Sequence, residues 1–158
     1  MSDPRDAPMR YPLPVITLAT TLALSFLARA VYPLPWIGRP LADILFIMGI
    51  LIMLAGVALI VASARIMQRE RTTIRPDRAA QHLITKGVFR ISRNPIYLGM
   101  AMLMFGIGSS IGSLWFFIFG LIACFVLQKA AIEPEERHLD ALFGRTYRTY
   151  RKQVRRWI

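Results

Sequence analysis

The chain has 158 residues, of which 55% are hydrophobic, and a formal net charge of +11 at pH 7. A soluble domain is rarely this apolar, and a nucleic-acid-binding domain carries its cations on one face, whereas here they flank long apolar runs. The composition therefore indicates a membrane protein with basic loops and argues against nucleic acid as a partner. The single cysteine, Cys124, excludes an intrachain disulfide, and with only two histidines no metal site is expected.

The first half of the chain predicts a tail and two membrane spans. Residues 1–12 are proline-rich and mixed in charge, which is typical of a flexible tail. An apolar run from Leu13 to Leu34 is long enough to span a bilayer if Arg29 snorkels or faces protein. The competing interpretation is a cleaved signal peptide, because Ala28-Arg29-Ala30 resembles a small-x-small cleavage site. The run from Ile44 to Ala64, 21 residues without a charge, predicts the second transmembrane helix.

The second half begins with a basic stretch, residues 65–94, which predicts a cytosolic loop too long for a mere connector. The apolar run from Asn94 to Gln128 has 35 residues without a charge. One straight helix of that length would measure about 50 Å, well beyond the hydrocarbon core, so the run must fold back. The glycine- and serine-rich residues 106–113 predict the turn of a helical hairpin. Residues 133–158 predict an amphipathic cytosolic helix with a basic face, which Gly144 interrupts.

The distribution of cations predicts the topology. Residues 65–94 and 129–158 each contain eight Lys or Arg, whereas the loop near residue 38 carries only Arg39 and the hairpin turn carries none. By the positive-inside rule, both basic blocks and both termini are expected in the cytoplasm. The predicted fold is an all-α polytopic membrane protein with about four transmembrane helices in a single domain, residues 1–158, expected in the bacterial inner membrane.

The motif residues fall into two groups, one between residue 72 and the start of the third apolar run and the other in the C-terminal segment. They are Thr72 and Thr73; Gly87 to Arg90; Arg93 to Gly99, which reads Arg-Asn-Pro-Ile-Tyr-Leu-Gly; Glu135 to Leu139; Phe143, Gly144, Tyr147 and Tyr150; and Val154 to Trp157. In this order and spacing they resemble the integral-membrane methyltransferases, which include isoprenylcysteine carboxyl methyltransferases and phospholipid N-methyltransferases, and in particular their small bacterial branch. The resemblance covers residues 40–158, approximately.

The resemblance implies that S-adenosylmethionine binds on the cytosolic side and that the methyl acceptor is a lipid or another apolar small molecule. It implies a pocket between the start of the third helix, the hairpin and the C-terminal segment. The residues that it assigns to cofactor binding are Lys86, Gly87, Arg93, Asn94, Pro95, Tyr97, Leu98, Glu135 and Glu136. The residues that it assigns to catalysis are Glu136 and Arg155.

Two positions depart from the isoprenylcysteine branch. Those enzymes have His at the position of Asn94, whereas Asn resembles the phospholipid branch. Their eukaryotic members also have an Arg about one turn before the paired glutamates, where this chain has Lys129-Ala130-Ala131-Ile132. Lys129 or an Arg from elsewhere would take that role. Three methyl acceptors therefore remain open: a phospholipid amine, a prenyl thiol acid and another apolar molecule. The sequence also leaves the oligomeric state open.

The charges of the cofactor explain why these residue types are expected. Its ammonium can be held by Glu135 or Glu136, and its carboxylate can be held bidentately by Arg93 or Arg155. Tyr97 and Trp157 offer aromatic faces for adenine or a cation. If the acceptor is an amine, it must lose a proton, which Glu136 or His138 can accept.

Simpler interpretations compete with each of these roles. Paired glutamates at a helix start can serve only to complement the helix dipole. Arg90 and Arg93 can be lipid-headgroup anchors, and Tyr97 can belong to an interfacial aromatic belt. Two other functions also fit the architecture: a nicotinamide-dependent membrane reductase and a non-enzymatic membrane scaffold.

Overall fold

The computed structural model describes residues 13–69 and 83–158, which form five α-helices and no strand, as predicted for an all-α protein. The helices are α1 (Leu13–Val31), α2 (Leu41–Arg69), α3 (Pro95–Ile111), α4 (Leu114–Leu127) and α5 (Glu133–Gln153). A 3-10 turn, Gly87–Arg90, precedes α3, and a π turn, Gln128–Ile132, joins α4 to α5. The predicted tail, residues 1–12, and the loop residues 70–82, which include Thr72 and Thr73, lie outside the described residues.

Within residues 13–69 and 83–158, three helices are long and apolar enough to cross a membrane: α1, α2 and the continuous 40-residue helix from Leu114 to Gln153. Large apolar side chains project from their surfaces; Leu54 on α2 and Leu121 on α4 are 61% and 63% exposed. Such side chains suit contact with lipid. Helix α3 is apolar but has only 17 residues. The chain is therefore an integral membrane protein with three spans of sufficient length, and the fourth span stays a prediction.

Helices α2 and α3 pack together through four glycines, two on each helix, and the two glycines of each helix are seven residues apart. A Cβ atom on Gly56 would lie 2.9 Å from the carbonyl oxygen of Gly99, and one on Gly99 would lie 2.8 Å from that of Gly56. Gly49 and Gly106 form a second such pair, with distances of 2.6 and 2.7 Å. Since these glycines have no side chains, the two backbones meet directly, which is how tightly packed membrane helices associate.

Helix α1 packs against α4 and is tied to the α3–α4 hairpin by polar contacts. The Arg29 guanidinium donates a hydrogen bond to the carbonyl of Ile111, at the carboxyl end of α3. That carbonyl has no partner inside its own helix, so Arg29 caps the helix. The indole N–H of Trp115 donates to the carbonyl of Tyr32 over 2.7 Å. Arg29 therefore contacts protein, which is one of the two arrangements that allow α1 to span a bilayer.

Two predicted boundaries were wrong. Helix α2 continues through Arg69, so residues 65–69 belong to a helix and not to the predicted loop 65–94. The hairpin turn is confined to Gly112, in the left-handed conformation at φ 64°, and Ser113, instead of residues 106–113. The physical reason is that Gly106 and Gly108 serve close packing, against Gly49 and against Phe116, and need no turn.

The C-terminal segment is not separate from the hairpin, because α4 continues through the π turn directly into α5. The backbone N–H of Glu133 donates to the carbonyl of Gln128, so no free helix N-terminus exists at the paired glutamates. The interpretation that the glutamates complement a helix start is therefore wrong. From Lys129 onward the helix is charged, so α5 lies outside the apolar span, and Gly144 kinks it at φ 48°, as predicted.

Candidate active site

The loop before α3 is joined to the C-terminal residues by three hydrogen bonds. The Arg93 backbone N–H donates to the carbonyl of Arg155 over 3.0 Å. The Ser92 hydroxyl and the Asn94 side-chain amide both donate to the carbonyl of Arg156, over 3.0 and 3.1 Å. Two segments about 60 residues apart in sequence therefore form one unit beside the start of α3.

Asn94 provides a testable link in this unit. Replacing it by aspartate keeps the shape but turns the donor into an acceptor that faces the carbonyl of Arg156. Placing a carboxylate opposite that carbonyl, at a residue that is itself buried, should lower the free energy of unfolding by about 1–3 kcal/mol. Thermal unfolding in detergent measures this loss. Asn94→His, which retains a ring N–H donor, should lose less, and equal stability of wild type and Asn94→Asp would contradict the assignment.

Glu136 lies between two arginines. Its Oε1 is 3.1 Å from Arg93 Nη1, and its carboxylate accepts two hydrogen bonds from Arg156, from Nε over 3.1 Å and from Nη2 over 2.7 Å. The residue is only 8% exposed. The hydrogen bond that Arg156 donates to Glu136 raises the pKa of Arg156 above its ordinary value. This bidentate arrangement fixes the carboxylate in both position and orientation.

The guanidinium in this cluster belongs to Arg156, for which the sequence predicted no role, and not to its neighbour Arg155. The Arg155 side chain is exposed and contributes only its backbone carbonyl to the contacts of the described residues. Val154, just before it, is extended at φ −123° and ψ 131°. Helix α5 has ended before these two residues, and their side chains take different directions: that of Arg155 is exposed, whereas that of Arg156 contacts Glu136.

Arg93 connects the carboxylate to a buried tyrosine. Its Nη1 donates to the hydroxyl of Tyr147 over 3.2 Å, and Tyr147 is 1% exposed. The Nε atom of Arg93 is buried and has no hydrogen-bond partner among the described residues. An unused buried donor of this kind is costly unless another group bonds to it. Arg93 is therefore both fixed in place and able to bind a further acceptor.

Tyr97 and Glu135 join α3 to α5. The Tyr97 hydroxyl donates to Glu135 Oε2 over 3.2 Å. Burial raises the pKa of the Glu135 carboxyl above the usual glutamate value; the hydrogen bond from Tyr97 opposes the rise, and the charge of Glu136 adds to it. No arginine or lysine of the described residues pairs with Glu135. The two neighbouring glutamates therefore differ: Glu136 is neutralised by cations and Glu135 is not.

The remaining predicted residues of α3 hold this arrangement in place. Pro95 is fully buried and opens α3, where its missing N–H is not needed. The backbone N–H of Leu98 donates to the carbonyl of Asn94 over 3.0 Å, which makes the first helical hydrogen bond. Trp157 packs on the apolar cluster that contains Tyr97, and its indole N–H donates to the side chain of Gln128 over 3.1 Å.

Lys129 and His138 lie apart from the carboxylate–arginine cluster. Lys129 pairs with Glu133 over 2.9 Å, an exposed contact between residues four apart. It makes no contact with Glu136 within the described residues, so Arg156 supplies the cation that Lys129 was considered for. His138 has a buried Nε2 without a partner in the described part of the chain, and burial lowers the pKa of its imidazole.

Lys86 and Gly87 line a separate groove of about 890 Å³, called here the basic groove. It lies between the 3-10 turn with the residues before it and the part of α5 that follows Gly144. Tyr150 lines it and donates from its hydroxyl to the carbonyl of Phe89 over 2.6 Å. Tyr150 also packs against Tyr147, with ring centroids 6.4 Å apart, so the tyrosine pair stands between the basic groove and Arg93.

A family model described as phospholipid methyltransferase matches residues 44–146, well over half of the chain. The chain belongs to the phospholipid methyltransferase family. This confirms the resemblance to the membrane methyltransferase superfamily, and the matched region contains Arg93, Tyr97, Glu135 and Glu136 but ends before Arg156. No curated protein and no solved structure matches the chain significantly.

Proposed function

We propose that this member of the phospholipid methyltransferase family transfers a methyl group from S-adenosylmethionine to a lipid-like acceptor at the cytoplasmic face of the membrane. The observation that carries the proposal is the placement of Glu136 between Arg93 and Arg156, beside the Tyr97–Glu135 pair. This polar cluster stands where α3 begins its apolar course. A cofactor with an ammonium and a carboxylate matches a site that offers both carboxylates and guanidinium groups.

The side chains fit the two charged ends of the cofactor. Arg93, with its unused buried Nε, is suited to the carboxylate of the cofactor. Glu135, which no described cation neutralises, is suited to the ammonium. When bound, the cofactor supplies an activated methyl group and a sulfonium whose charge disappears on transfer, so the protein's own task is alignment and exclusion of water. Asn94, Pro95 and Leu98 support the site by fixing the loop and the start of α3.

The two glutamates take different roles in this proposal. Both oxygens of Glu136 already accept hydrogen bonds from arginines, so Glu136 positions Arg93 and Arg156. Glu135, which no described cation neutralises, is left to hold the ammonium of the cofactor. Arg156 takes the guanidinium role that the resemblance suggested for Arg155.

The cytoplasmic orientation in a bacterial inner membrane is part of the same proposal. It is supported by contacts between the end of α2, the 3-10 turn and the C-terminal residues, which bring cations of both basic blocks to one end of the molecule. A Cβ atom on Gly87 would lie 2.6 Å from the side chain of Ile66, which fixes the turn against the end of α2. Under the positive-inside rule such an end faces the cytoplasm. The proposal treats residues 1–158 as a single domain.

The family assignment favours methyl transfer over a nicotinamide-dependent reductase or a scaffold. The test is binding of labelled S-adenosylmethionine and of reduced nicotinamide cofactor to detergent-purified protein, followed by transfer of the labelled methyl group into a total lipid extract. We expect saturable binding of S-adenosylmethionine alone and a labelled lipid product. Binding of the nicotinamide cofactor instead, or of neither cofactor, would contradict the proposal.

The pKa of Glu135 predicts a pH dependence of cofactor affinity. Because only the ionised carboxylate attracts an ammonium, affinity should rise with pH through a range that lies above the ordinary glutamate pKa. The same raised pKa has the opposite effect on folding. The folded protein keeps the Glu135 proton to a higher pH than the unfolded chain does, so the free energy of unfolding falls as pH rises from the unfolded-state pKa to the folded-state pKa. Binding titrations across this range measure the effect, and Glu135→Gln should give a flatter profile. An identical profile in wild type and variant would refute the role.

A further inference from the structure

The basic groove carries a set of cations that the proposed methyl transfer does not use. Lys86, Arg90 and Arg145 line it together with the hydroxyl-bearing Thr85 and Thr146. No carboxylate lines it in the described part of the chain, and none of the three cations forms an ion pair with another described residue. Three like charges that converge on one concavity repel each other, and a bound anion relieves that repulsion.

The groove is built so that its cations stay together. Lys86 and Arg90 stand at opposite ends of the short turn that Gly87 opens at φ 60°, and Arg145 directly follows the kink at Gly144. The hydrogen bond from Tyr150 to the carbonyl of Phe89 fastens the two walls to each other. The distance between the walls is therefore set by buried contacts and not by the exposed cations themselves.

We propose that the basic groove binds a phosphate group, carried either by an anionic phospholipid headgroup or by free phosphate. Two arginines can bind phosphate oxygens bidentately, a lysine adds a point charge, and threonine hydroxyls add neutral donors. The cofactor carries a net positive charge, so it suits the site that contains Glu135 and Glu136 and not this groove, whose described charged residues are all cations. Gly87, which lines the groove, lies against Ile66 near the end of membrane-spanning α2, a position that a headgroup can reach. This site is independent of the proposed cofactor site.

Calorimetric titration of the detergent-purified full chain tests the inference at constant ionic strength. The probes are inorganic phosphate, dihexanoyl phosphatidylglycerol below its micellar concentration, and dihexanoylglycerol as the matched lipid without phosphate. The groove variant is Arg90→Gln with Arg145→Gln. Its control is Arg137→Gln with Lys152→Gln, which removes two exposed cations of α5 that do not line the groove. We expect at least about a tenfold loss of affinity in the groove variant and less than about a twofold loss in the control.

The lipid and phosphate arms identify the source of the phosphate. Saturable binding of phosphatidylglycerol alone assigns a lipid headgroup, and binding of inorganic phosphate alone assigns a free anion. Each single variant should show an intermediate loss, so the result does not depend on the folding of the double variant. The inference is overturned if neither phosphate-bearing probe saturates, if dihexanoylglycerol binds equally well, or if the control pair loses as much affinity as the groove variant. S-adenosylmethionine binding should be unchanged in the groove variant, which separates this outcome from failure of the cofactor site.

Discussion

Replacing Glu136 by glutamine is expected to remove cofactor binding and to lower the free energy of unfolding by about 3–5 kcal/mol. The physical reason is that the change deletes the charge between Arg93 and Arg156, at a position that is only 8% exposed. Arg93 then has no carboxylate partner among the described residues and is no longer fixed for a ligand, and Arg156 keeps only its longer contact with Glu133, at 3.8 Å. Affinity for labelled S-adenosylmethionine should fall at least about 100-fold. Equilibrium binding and thermal unfolding of the purified protein measure the two effects.

Glu133→Gln is the matched control for this prediction. Glu133 lies on the same helix and pairs mainly with Lys129, which is 55% exposed at the side chain. Exposed pairs of this kind contribute little to stability, so the control should remain stable and bind the cofactor. Combining Glu136→Gln with Arg156→Gln measures the coupling between the two side chains. The assignment fails if Glu136→Gln binds the cofactor as tightly as wild type, or if the control loses as much as Glu136→Gln.

Replacing Gly99 by alanine is expected to destabilise the protein by about 1–3 kcal/mol although it adds only one methyl group. The added Cβ would lie 2.5 Å from the side chain of Ile60 and 2.8 Å from the carbonyl oxygen of Gly56. A backbone oxygen cannot rotate away as a flexible side chain can, so α2 and α3 must separate. Because Gly99 follows Tyr97 by two residues, a displaced α3 should also weaken the Tyr97–Glu135 contact and cofactor binding.

Thermal unfolding in a single detergent measures this effect, with Gly38→Ala as the control. A Cβ atom on Gly38 meets nothing within 4 Å, so that variant adds the same methyl group without a clash. We expect a clear fall in the unfolding temperature for Gly99→Ala and almost none for Gly38→Ala. Equal unfolding temperatures for the two variants would show that the helices do not depend on this direct backbone contact.

The sequence predicted the helical class and much of the element order because those properties are local. A run such as Ile44 to Ala64 is apolar enough to require a membrane helix wherever it packs. The roles of the glycines are harder to predict from sequence, because the same residue permits a turn and a close helix contact. Gly106 and Gly108 were assigned to a turn, whereas they pack against Gly49 and Phe116.

The sequence predicted that the motif before and at the start of α3 meets the C-terminal motif, but not which side chains make the contacts. The contact between Tyr97 and Glu135 agrees with a site built from both motifs, as the resemblance implied. The basic groove had no sequence signal beyond the excess of cations, since its walls are brought together by the bond between Tyr150 and Phe89. The pairing across α2 and α3 likewise depends on which faces meet, and hydropathy alone does not define those faces for helices that are apolar all round.

By itself, the sequence determined that this chain is a helical membrane protein with two basic blocks and the motifs of a methyltransferase family, because composition and order act locally. Only the tertiary structure decided which charges meet. Arg155 and Arg156 are adjacent and chemically identical, yet one is exposed and the other holds Glu136. The orientation of this segment is set by hydrogen bonds to the backbone carbonyls of both arginines from Ser92, Arg93 and Asn94, which lie about 60 positions earlier in the chain.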